Sequence, residues 1–475
     1  MTTVVRTPQA RGSFGIARAD ITPPVGIYHR MWGAALHDRA TGVHRPLTAS
    51  ALWMQSSDER DGIVLLCLDH CLLDPSEFTA IRDAVAAAVG IRIGDVFVAM
   101  SHTHGSAWMS RSRSHLPGGD LIGPYLDATI ETCVCLAKES RRNAVPGSLV
   151  FGSGRCSLAA HRDYFDAAEK RYVCGYDPEG AADDTVMVAK CVSDDGKLLG
   201  TLVNYACHPT TLAWKNTLIS PDYVGAMREV VESHTKVPCL FLQGASGDLG
   251  PREGFVGDTS IADRNGRQLG FAALSALEAI PSPGTQFEYA GAVVSGATLG
   301  TWEHRPAKLD AIWSRETAVV PLSYRLELPT EEQTRAELRK WEAQEKEARQ
   351  HDDVLRISES RAHVERMHRQ LARLSALTPG PEYRMPLTVA RMGSTLWVFS
   401  PGELYQTFQI ELRRQFPDVA VIVATMTNDW QPGYFPSASS YGRGIYQETI
   451  AAVAPGSLET LLEVATQTAR RSLEC

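Results

Sequence analysis

The sequence SHTH at residues 101–104 places two histidines, His102 and His104, one residue apart. It follows residues 95–100 (DVFVAM), whose composition predicts a buried strand. Side chains two residues apart on an extended segment point to the same side. Both imidazoles would therefore face one site if the extended geometry continues past the strand, one binding a metal and the other polarising a substrate. Core or surface histidines remain an alternative interpretation of this motif taken alone.

His208 lies in a comparable position, within NYACHPT at residues 204–210. Residues 198–205 before it are apolar and predict a strand, which Pro209 would end just after the histidine. Ligands and catalytic groups in α/β proteins lie at strand ends of this kind. A structural histidine is the alternative.

Two further loops carry polar groups after predicted strands. Residues 243–251 (QGASGDLGP) follow a strand at 237–242, and their glycines allow the backbone to approach a ligand closely. They match neither a P-loop nor GxSxG, so a structural turn is equally compatible. Glu403, in SPGE at 400–403, lies at a predicted strand-to-helix corner, where compensation of the helix dipole is the alternative role.

The elements that must position these groups alternate between strand and helix. Residues 62–69 predict a strand, 76–89 a helix and 95–100 a second strand, an order that favours an α/β fold with part of the sheet parallel. The turn DDGK at 194–197 predicts a hairpin between strands 185–192 and 198–205. The remaining predictions are two strands within 385–399 and helices at 220–233, 261–279 and 404–415.

Residues 330–378 differ from the rest of the chain in composition. They are rich in Glu, Arg, Gln and Ala between Pro329 and the sequence TPGP at 378–381. This predicts two exposed helices, forming a hairpin inserted into a single domain over residues 1–475. A solvated appendage, a contact in a homo-oligomer and an active-site lid remain open as roles for it.

Composition excludes several classes of protein. The 475 residues are 44% hydrophobic and 21% charged, with a net charge of −8, which argues against nucleic acid or an anionic membrane as the partner. No apolar run reaches 18 residues and no secretory h-region follows the N-terminus. The ten cysteines form no CxxC pair, so we expect reduced core thiols and a cytoplasmic protein that acts on a small molecule.

The ordered set of motifs resembles the catalytic N-terminal domain of the neutral/alkaline non-lysosomal ceramidases. The resemblance implies a mixed-sheet α/β fold and extends over about residues 15–435. The matching segments are GIARADITP at 15–23, GVHRPL at 42–47, SHTH at 101–104, NYACHPT at 204–210, SPDY at 220–223, QGASGDLGP at 243–251, PGE at 401–403 and NDWQPGY at 428–434.

The resemblance implies one zinc ion per chain, held by His102, His208, Glu403 and Tyr434. Such a set leaves zinc an open position for water, as hydrolytic sites require. The fourth ligand is the loosest match, because Tyr441 and Tyr446 are close in sequence. By the same resemblance, His104 donates a hydrogen bond to the substrate carbonyl or its oxyanion, and Arg162 lies near the site.

The departures from the family concern the nucleophile and the ends of the chain. Gly250 occupies the place of the serine that ceramidases carry, and glycine has no nucleophile. Ser246 is a weaker candidate for a displaced nucleophile. We also expect the immunoglobulin-like C-terminal domain of ceramidases and a secretory signal to be absent, and ceramide not to be the substrate.

The resulting expectation is a zinc-dependent amide hydrolase that uses metal-activated water. Asp248 or Glu403 would move the proton to the leaving group. A zinc esterase or lactonase with the same ligands is the alternative, and a non-catalytic binding protein is the second alternative.

The expected pocket is apolar or ring-binding. Four residues near the ligand motifs are its candidate lining, with Arg111 and Arg113 as a candidate carboxylate clamp or, alternatively, two solvated surface arginines. The lining candidates are Trp108, Met109, Trp214 and Trp430.

Overall fold

Two stacked β-sheets form the centre of the molecule in the computed structural model, which describes residues 3–58 and 62–474. The larger sheet contains β1 (Gln9–Asp20), β2 (Thr48–Gln55), β3 (Gly62–Leu68), β4 (Val96–Met100), β5 (Val145–Arg155), β6 (Thr185–Ser193), β7 (Leu198–Tyr205) and β8 (Cys239–Gln243). The smaller sheet contains β9 (Trp313–Ser323), β10 (Glu382–Met392), β11 (Thr395–Phe399) and β12 (Ala420–Ala424).

Helices cover the outer faces of both sheets. The helices in the described part of the chain, some of which pack elsewhere, are α1 (Pro75–Val89), α2 (Ile122–Arg142), α3 (Tyr223–Thr235), α4 (Thr259–Glu278), α5 (Glu331–Gln350), α6 (Val354–Ala376), α7 (Thr407–Gln415), α8 (Tyr446–Ile450) and α9 (Ser457–Glu474).

Both sheets are mixed, as the sequence predicts. The strand order is β8-β7-β6-β5-β1-β2-β3-β4 in the larger sheet and β9-β10-β11-β12 in the smaller one. Pairs β3–β4, β7–β8 and β11–β12 are parallel and the other pairs are antiparallel. Each parallel pair is separated in sequence by a helix that returns the chain, as parallel strands require.

Successive side chains along each strand of the larger sheet point to opposite faces, and they form two separate hydrophobic cores. Leu65 and Phe97 point between the sheets, where the Phe97 ring stacks on Phe399 with centroids 4.0 Å apart. Val64 and Val98 point to the other face and pack with α1 and α2. Both faces of the larger sheet are therefore buried, which explains why its central strands are continuously apolar.

The helices divide between the two outer faces. Helices α1 to α4 pack on the larger sheet, and α7 and α9 pack on the smaller one. Close approach is enforced at Gly15, where an added Cβ would lie 2.0 Å from the Ser140 carbonyl oxygen of α2. The fold is thus a four-layer arrangement of helices, two sheets and helices.

Polar bonds between the sheets bring the loops after β4, β7, β11 and β12 to one edge. The Asn204 side-chain amide donates to the carbonyl oxygens of Leu242 at 3.0 Å and Val423 at 2.9 Å, which joins β7 to β8 in its own sheet and to β12 in the other sheet. The backbone NH of Val98 donates to Asn428 Oδ1 at 2.8 Å. Segments more than 200 residues apart therefore meet where the predicted site residues lie.

The segment at 330–378 forms the predicted helical hairpin, α5 and α6, but α6 is not an exposed helix. Ser360, Val364, Glu365 and Arg373 are buried. Helix α6 packs so closely on the loop before β2 that an added Cβ on Gly33 would lie 2.6 Å from Ala362 Cα. The expectation of two exposed helices is wrong for α6, because its charged residues pair with this loop instead of with water.

The predicted strands and helices are present with end shifts of a few residues. Several elements have no counterpart among the predictions: β1, β2, β5, β9, β12, α2, α9 and an exposed hairpin of Thr285–Ser295 and Ala297–Pro306. None of the helices in the described part of the chain combines the length and apolar composition needed to span a bilayer.

Candidate metal centre and substrate cavity

His102 lies in the loop after β4 with a left-handed backbone, φ 64°, which is uncommon outside glycine. Its backbone NH donates to the His70 carbonyl oxygen at 2.8 Å, which holds this conformation. The ring Nδ1 donates to the Cys71 carbonyl oxygen at 3.1 Å. Nε2 is therefore buried, turned the other way and without a hydrogen-bond partner. A histidine whose Nδ1–H is bound by a carbonyl presents Nε2 as a metal ligand does.

The extended geometry does not continue past β4, although the rings of His102 and His104 meet as predicted. Strand β4 ends at Met100, His102 leaves the extended region, and a short 3₁₀ turn begins at His104. The ring centroids nevertheless lie 5.1 Å apart and nearly perpendicular. The turn, not an extended strand, brings both side chains to the same place.

His208 is fixed in the same tautomer at the end of β7. Its Nδ1 donates to the Ser246 carbonyl oxygen at 2.8 Å, and its Nε2 lies 2.8 Å from Glu403 Oε2. The Tyr223 hydroxyl of α3 donates to the Cys207 carbonyl oxygen at 2.5 Å and anchors the strand end. The SPDY segment at 220–223 thus serves to position this histidine.

The four predicted ligands converge. Glu403 Oε2 also lies 3.4 Å from His102 Nε2, and the Tyr434 hydroxyl lies 3.4 Å from His208 Nε2. Two ligands of a tetrahedral zinc ion, each about 2 Å from the metal, are about 3.3 Å apart. These separations suit one ion, and the ligand atoms of His102, His208 and Glu403 lie within 4.8 Å of one another.

Cys71 forms a second group with His102 and His104 at similar spacing. Its Sγ approaches Nδ1 of His102 at 3.6 Å, the nitrogen that the Cys71 carbonyl oxygen already engages. The group with Glu403 is therefore the better metal site, because there both imidazoles turn Nε2 toward the carboxylate while a backbone carbonyl engages Nδ1.

The charges at this group suit a cation. Burial raises the pKa of Glu403, but the neighbouring His102 and His208 outweigh it and hold that pKa well below its ordinary value. Burial, and then Arg162, lowers the pKa of His208 to about 4. A buried carboxylate beside a neutral imidazole is a donor set for a divalent metal.

His104 is oriented differently and faces a cavity. Both of its ring nitrogens are buried without a hydrogen-bond partner, and its ring lies 5.0 Å from Trp32. Burial, followed by repulsion from His102 and His208, lowers its pKa well below the ordinary value. The neutral imidazole therefore keeps one N–H that a bound ligand could accept.

Of the three candidate tyrosines, only Tyr434 reaches the metal group. The Tyr441 hydroxyl donates to the Val453 carbonyl oxygen at 3.0 Å, well away from the histidines. Tyr446 lines the cavity, with its ring 5.8 Å from that of Tyr434. Gly433, with φ 98°, and Gly402, with φ 71°, shape the paired segments that carry Tyr434 and Glu403.

Comparison with known proteins identifies the family and the fold. The profile of the family described as "Neutral/alkaline non-lysosomal ceramidase, N-terminal" matches residues 13–254, just over half of the chain. The chain belongs to this family.

Neutral ceramidase from Pseudomonas aeruginosa is 23% identical over 261 residues, which are 50% of this chain and 37% of that protein. A crystal structure of neutral ceramidase from Pseudomonas aeruginosa superposes with a TM-score of 0.67 and 15% identity, covering 98% of this chain and 75% of the other. A structure of "Ceramidase complexed with C2" gives the same TM-score and identity, with 76% of that chain covered. The neutral ceramidase fold therefore extends over nearly the whole chain.

Gly250, at the place of the ceramidase serine, faces the candidate site. It lies in the short strand Leu249–Pro251, where an added Cβ would be 3.8 Å from Thr210 Oγ1 and 3.9 Å from Arg162 Cδ. Thr210 Oγ1 and Arg162 Nε are buried without hydrogen-bond partners. Position 250 thus offers no hydroxyl and lies beside two residues with unpaired polar atoms that line the cavity, Thr210 and Arg162.

Arg162 lies beside the metal group, as the resemblance implies. Its guanidinium donates to the Gly247 carbonyl oxygen at 2.6 Å and stacks over the Tyr434 ring at 5.3 Å. No carboxylate pairs with Arg162 among the described residues.

Asp248 does not take the predicted proton-transfer position. Its two carboxylate oxygens accept hydrogen bonds from the backbone and side-chain NH groups of Gln406, at 2.8 and 2.9 Å. It is absent from the cavity lining within residues 3–58 and 62–474. The carboxylate instead ties the glycine-rich loop to the start of α7. Ser246 is likewise unsuited as a nucleophile, because it lies on the Nδ1 side of His208, 3.4 Å from that nitrogen.

A cavity of about 380 Å³ opens onto His104, Arg162 and Tyr434. Trp214 lines it, as predicted, together with Trp32 and Phe255, whose rings lie 5.5 Å apart. The other three predicted lining residues belong to the core instead: Trp108, Met109 and Trp430.

The predicted carboxylate clamp is wrong. Arg111 pairs with Glu77 at 2.8 Å and Asp127 at 2.6 Å, and buried Arg113 pairs with Glu365 at 2.8 Å. The alternative of two solvated arginines is also wrong for Arg113.

Sequence reasoning missed the wall that α6 contributes to the cavity. Its pocket-facing residues are Ala362, Glu365, Arg366, Arg369 and Arg373. Their spacing was a detectable signal, but surface helices also carry charges at these intervals.

Proposed function

We propose that this protein is a zinc-dependent hydrolase that cleaves an amide bond in a small or medium substrate, with water activated by one zinc ion per chain. The observation that carries the proposal is the convergence of His102 Nε2, His208 Nε2, Glu403 Oε2 and the Tyr434 hydroxyl beside the cavity. Backbone carbonyls fix both imidazoles before any ligand arrives, so little reorganisation is needed to bind the ion.

Bound zinc would supply Lewis acidity and a water whose pKa is lowered to about 7. His104 would donate its N–H to the carbonyl oxygen and to the oxyanion that develops there, supported by its neutral state. Arg162 would add positive charge on the same side of the cavity.

In the hydrolysis, the water oxygen bonds to the carbonyl carbon and the C–N bond breaks. The water proton passes to the leaving nitrogen, giving a carboxylic acid and an amine. With Asp248 engaged by Gln406, Glu403 is the remaining candidate for this transfer.

Water is proposed as the nucleophile because Gly250 provides no hydroxyl. The Thr210 hydroxyl lies nearest to the vacant side-chain position, so Thr210→Val is a direct check on the route. We expect this variant to hydrolyse amides within about threefold of wild type, and mass spectrometry of the working enzyme to find no acyl-protein adduct. An adduct that disappears in Thr210→Val would replace water by the threonine hydroxyl.

The first prediction concerns the metal. Purified protein should contain one equivalent of zinc by elemental analysis, and His102→Ala or His208→Ala should lose both zinc and turnover on a panel of aryl and acyl amides. Each variant removes one of two imidazole ligands, and hydrolysis without the metal has no activated water. His234→Ala, which alters an exposed histidine paired with Glu278, is the matched control and should keep both.

Complete hydrolysis by a zinc-free variant would contradict the metal mechanism. Matched amides and esters on the same acyl group separate the amidase from the esterase or lactonase alternative, and ceramide belongs in the panel because we propose that it is a poor substrate. No tight metal and no turnover of any of them would indicate a binding protein.

We also propose a cytoplasmic location. The nine cysteines in the described residues are all free and seven of them are buried, which suits a reducing compartment.

A further inference from the structure

One face of α6 forms a cationic wall of the cavity. Ala362, Arg366, Arg369 and Arg373 line it at intervals of four, three and four residues, which places them on one side of the helix. Helix α6 is held in this orientation by bonds to the loop before β2. The Arg361 guanidinium donates to the Ala35 carbonyl oxygen at 3.1 Å.

Arg373 is the most constrained member of this wall. It is 4% exposed, yet it forms no ion pair among the described residues, and its Nε has no hydrogen-bond partner. Its side-chain bond goes to the neutral amide oxygen of Gln370. Burial lowers its pKa to about 10, partly opposed by Tyr446 and Glu403. A buried guanidinium without a counter-ion is costly, so its retention beside a cavity points to an anionic ligand.

The other charges at the cavity do not neutralise Arg373. Arg366 is exposed and has no carboxylate partner in the part of the chain that the structure describes. Arg369 pairs with Glu365 at 3.0 Å, and the same carboxylate also pairs with Arg113. Arg30 also approaches this carboxylate at 3.8 Å, so Glu365 is already shared among three arginines.

Two more charged groups, Arg162 and Glu403, contribute to the charge at the cavity. Arg162 adds another guanidinium to the lining that pairs with no carboxylate among the described residues, and Glu403 belongs to the metal group. The cavity lining therefore has an excess of positive charge beside the proposed metal ligands.

We propose that the substrate is an amide bearing a carboxylate, of which an N-acyl amino acid is the simplest class. Arg373 and Arg366 would bind the carboxylate, and Trp32, Trp214 and Phe255 would contact the apolar group. This inference rests on the proposed function for the bond that is cut, but the carboxylate site itself does not require turnover.

The dimensions and chemistry suit this class. A cavity of about 380 Å³ lies in the range that holds small molecules. Guanidinium groups match a planar carboxylate with two parallel N–H donors. The aromatic side chains supply a separate apolar surface.

The test compares N-acetylphenylalanine with N-acetylphenethylamine, which have the same amide and ring but differ in the carboxylate. Binding is measured by calorimetry on metal-depleted protein, and kcat/KM on zinc-loaded protein. We expect at least about tenfold preference for the acid in both, since charge-assisted hydrogen bonds are the strong ones.

Arg373→Met and Arg366→Met should each reduce that preference to about twofold or less. If Arg373→Met fails to fold, the exposed Arg366 still tests the site. Arg356→Met is the control on the same helix, because Arg356 is exposed and pairs with Glu347 at 3.6 Å, outside the cavity lining. It should leave the preference unchanged.

The outcomes separate the two proposals. Equal binding of N-acetylphenylalanine and N-acetylphenethylamine overturns the carboxylate site, even if zinc-loaded protein hydrolyses both compounds. Preferential binding of the acid without hydrolysis of any amide supports the site and overturns the proposed function. Stronger competition by inorganic phosphate than by acetate would overturn the choice of a carboxylate.

Discussion

The hydrogen bonds of the ring nitrogens distinguish the three histidines of the site. In His102 and His208, Nδ1 donates a hydrogen bond to a backbone carbonyl oxygen, so Nε2 remains available to bind a metal. Neither ring nitrogen of His104 forms a hydrogen bond, although both are buried. Buried polar atoms of this kind are nearly always paired in folded proteins. The backbone bonds at Nδ1 therefore distinguish His102 and His208, the proposed metal ligands, from His104, the proposed substrate contact.

The prediction at this scale concerns His104. His104→Ala should lower kcat by about 100-fold to 1000-fold, the range found when one oxyanion donor is removed, while zinc content stays at one per chain. Elemental analysis and steady-state kinetics measure the two quantities. His104→Gln, which restores an N–H donor, should recover part of the loss. Loss of zinc in His104→Ala would make His104 a ligand instead.

At the scale of elements, α6 connects the surface of the protein to its site. Its composition alone suits a solvated helix, but Arg361, Glu365 and Arg369 bind the loop before β2 or its neighbours. The Arg369 guanidinium donates to the Met31 carbonyl oxygen, and Ser358 Oγ donates to that of Ala34 at 2.9 Å. The helix is thus a fixed wall, and the role of the helices at 330–378 in a homo-oligomer stays a prediction.

Gly33→Ala tests this packing. The backbone of Gly33 lies outside the left-handed region, but the new Cβ would lie 2.6 Å from Ala362 Cα and 3.0 Å from its carbonyl oxygen. We expect a loss of about 1–3 kcal/mol in the free energy of unfolding, as for overpacked sites. Because α6 would shift, KM should rise more than kcat falls.

Gly94→Ala is the control, because no atom lies within 4 Å of its added Cβ and its φ is ordinary. It should be neutral or slightly stabilising. A Gly33→Ala variant with wild-type unfolding and kinetics would show that α6 adapts freely.

At the scale of the whole molecule, buried ion pairs join segments that are distant in sequence. Asp69 after β3 pairs with Arg228 of α3 at 2.9 and 3.0 Å, and Glu365 of α6 pairs with Arg113 at 2.8 Å. Burial raises the pKa of each carboxyl, but the arginines outweigh it and lower that of Glu365 to about 2 and that of Asp69 below its ordinary value.

These shifts predict the acid stability. A carboxyl group whose pKa is lower in the folded protein than in the unfolded chain stabilises the fold fully at pH values above its ordinary pKa, which is 4.5 for glutamate. This stabilisation is lost as the pH falls toward the folded-state pKa, about 2 for Glu365. For Glu365 the contribution is about 3 kcal/mol. Urea unfolding at pH 7, 4 and 3 should show a falling free energy, less steeply in Glu365→Gln. A flat profile between pH 5 and 3 would contradict the prediction.

How much of the fold the sequence predicts depends on the range of the interactions. Strands β3, β4, β6 and β7 are readable because their apolar runs and turns are local signals. Strand β1 escapes prediction because it carries polar and glycine residues along its length. Helix α2 was not predicted either. Gly15 in β1 is explained by the closeness of Ser140 in α2.

The sequence by itself determines the residue types of the site, their order and their positions after strands, and its family resemblance implies His102, His208, Glu403 and Tyr434 as ligands. Only the tertiary structure decides that the side chains of these four residues meet, that Asp248 binds Gln406, and that α6 turns its arginines toward the cavity. The reason is physical: His208 and Glu403 are 195 residues apart in sequence, and contacts at such separation depend on how layers pack. Local periodicity carries no information about which distant surface a charged helix face will meet.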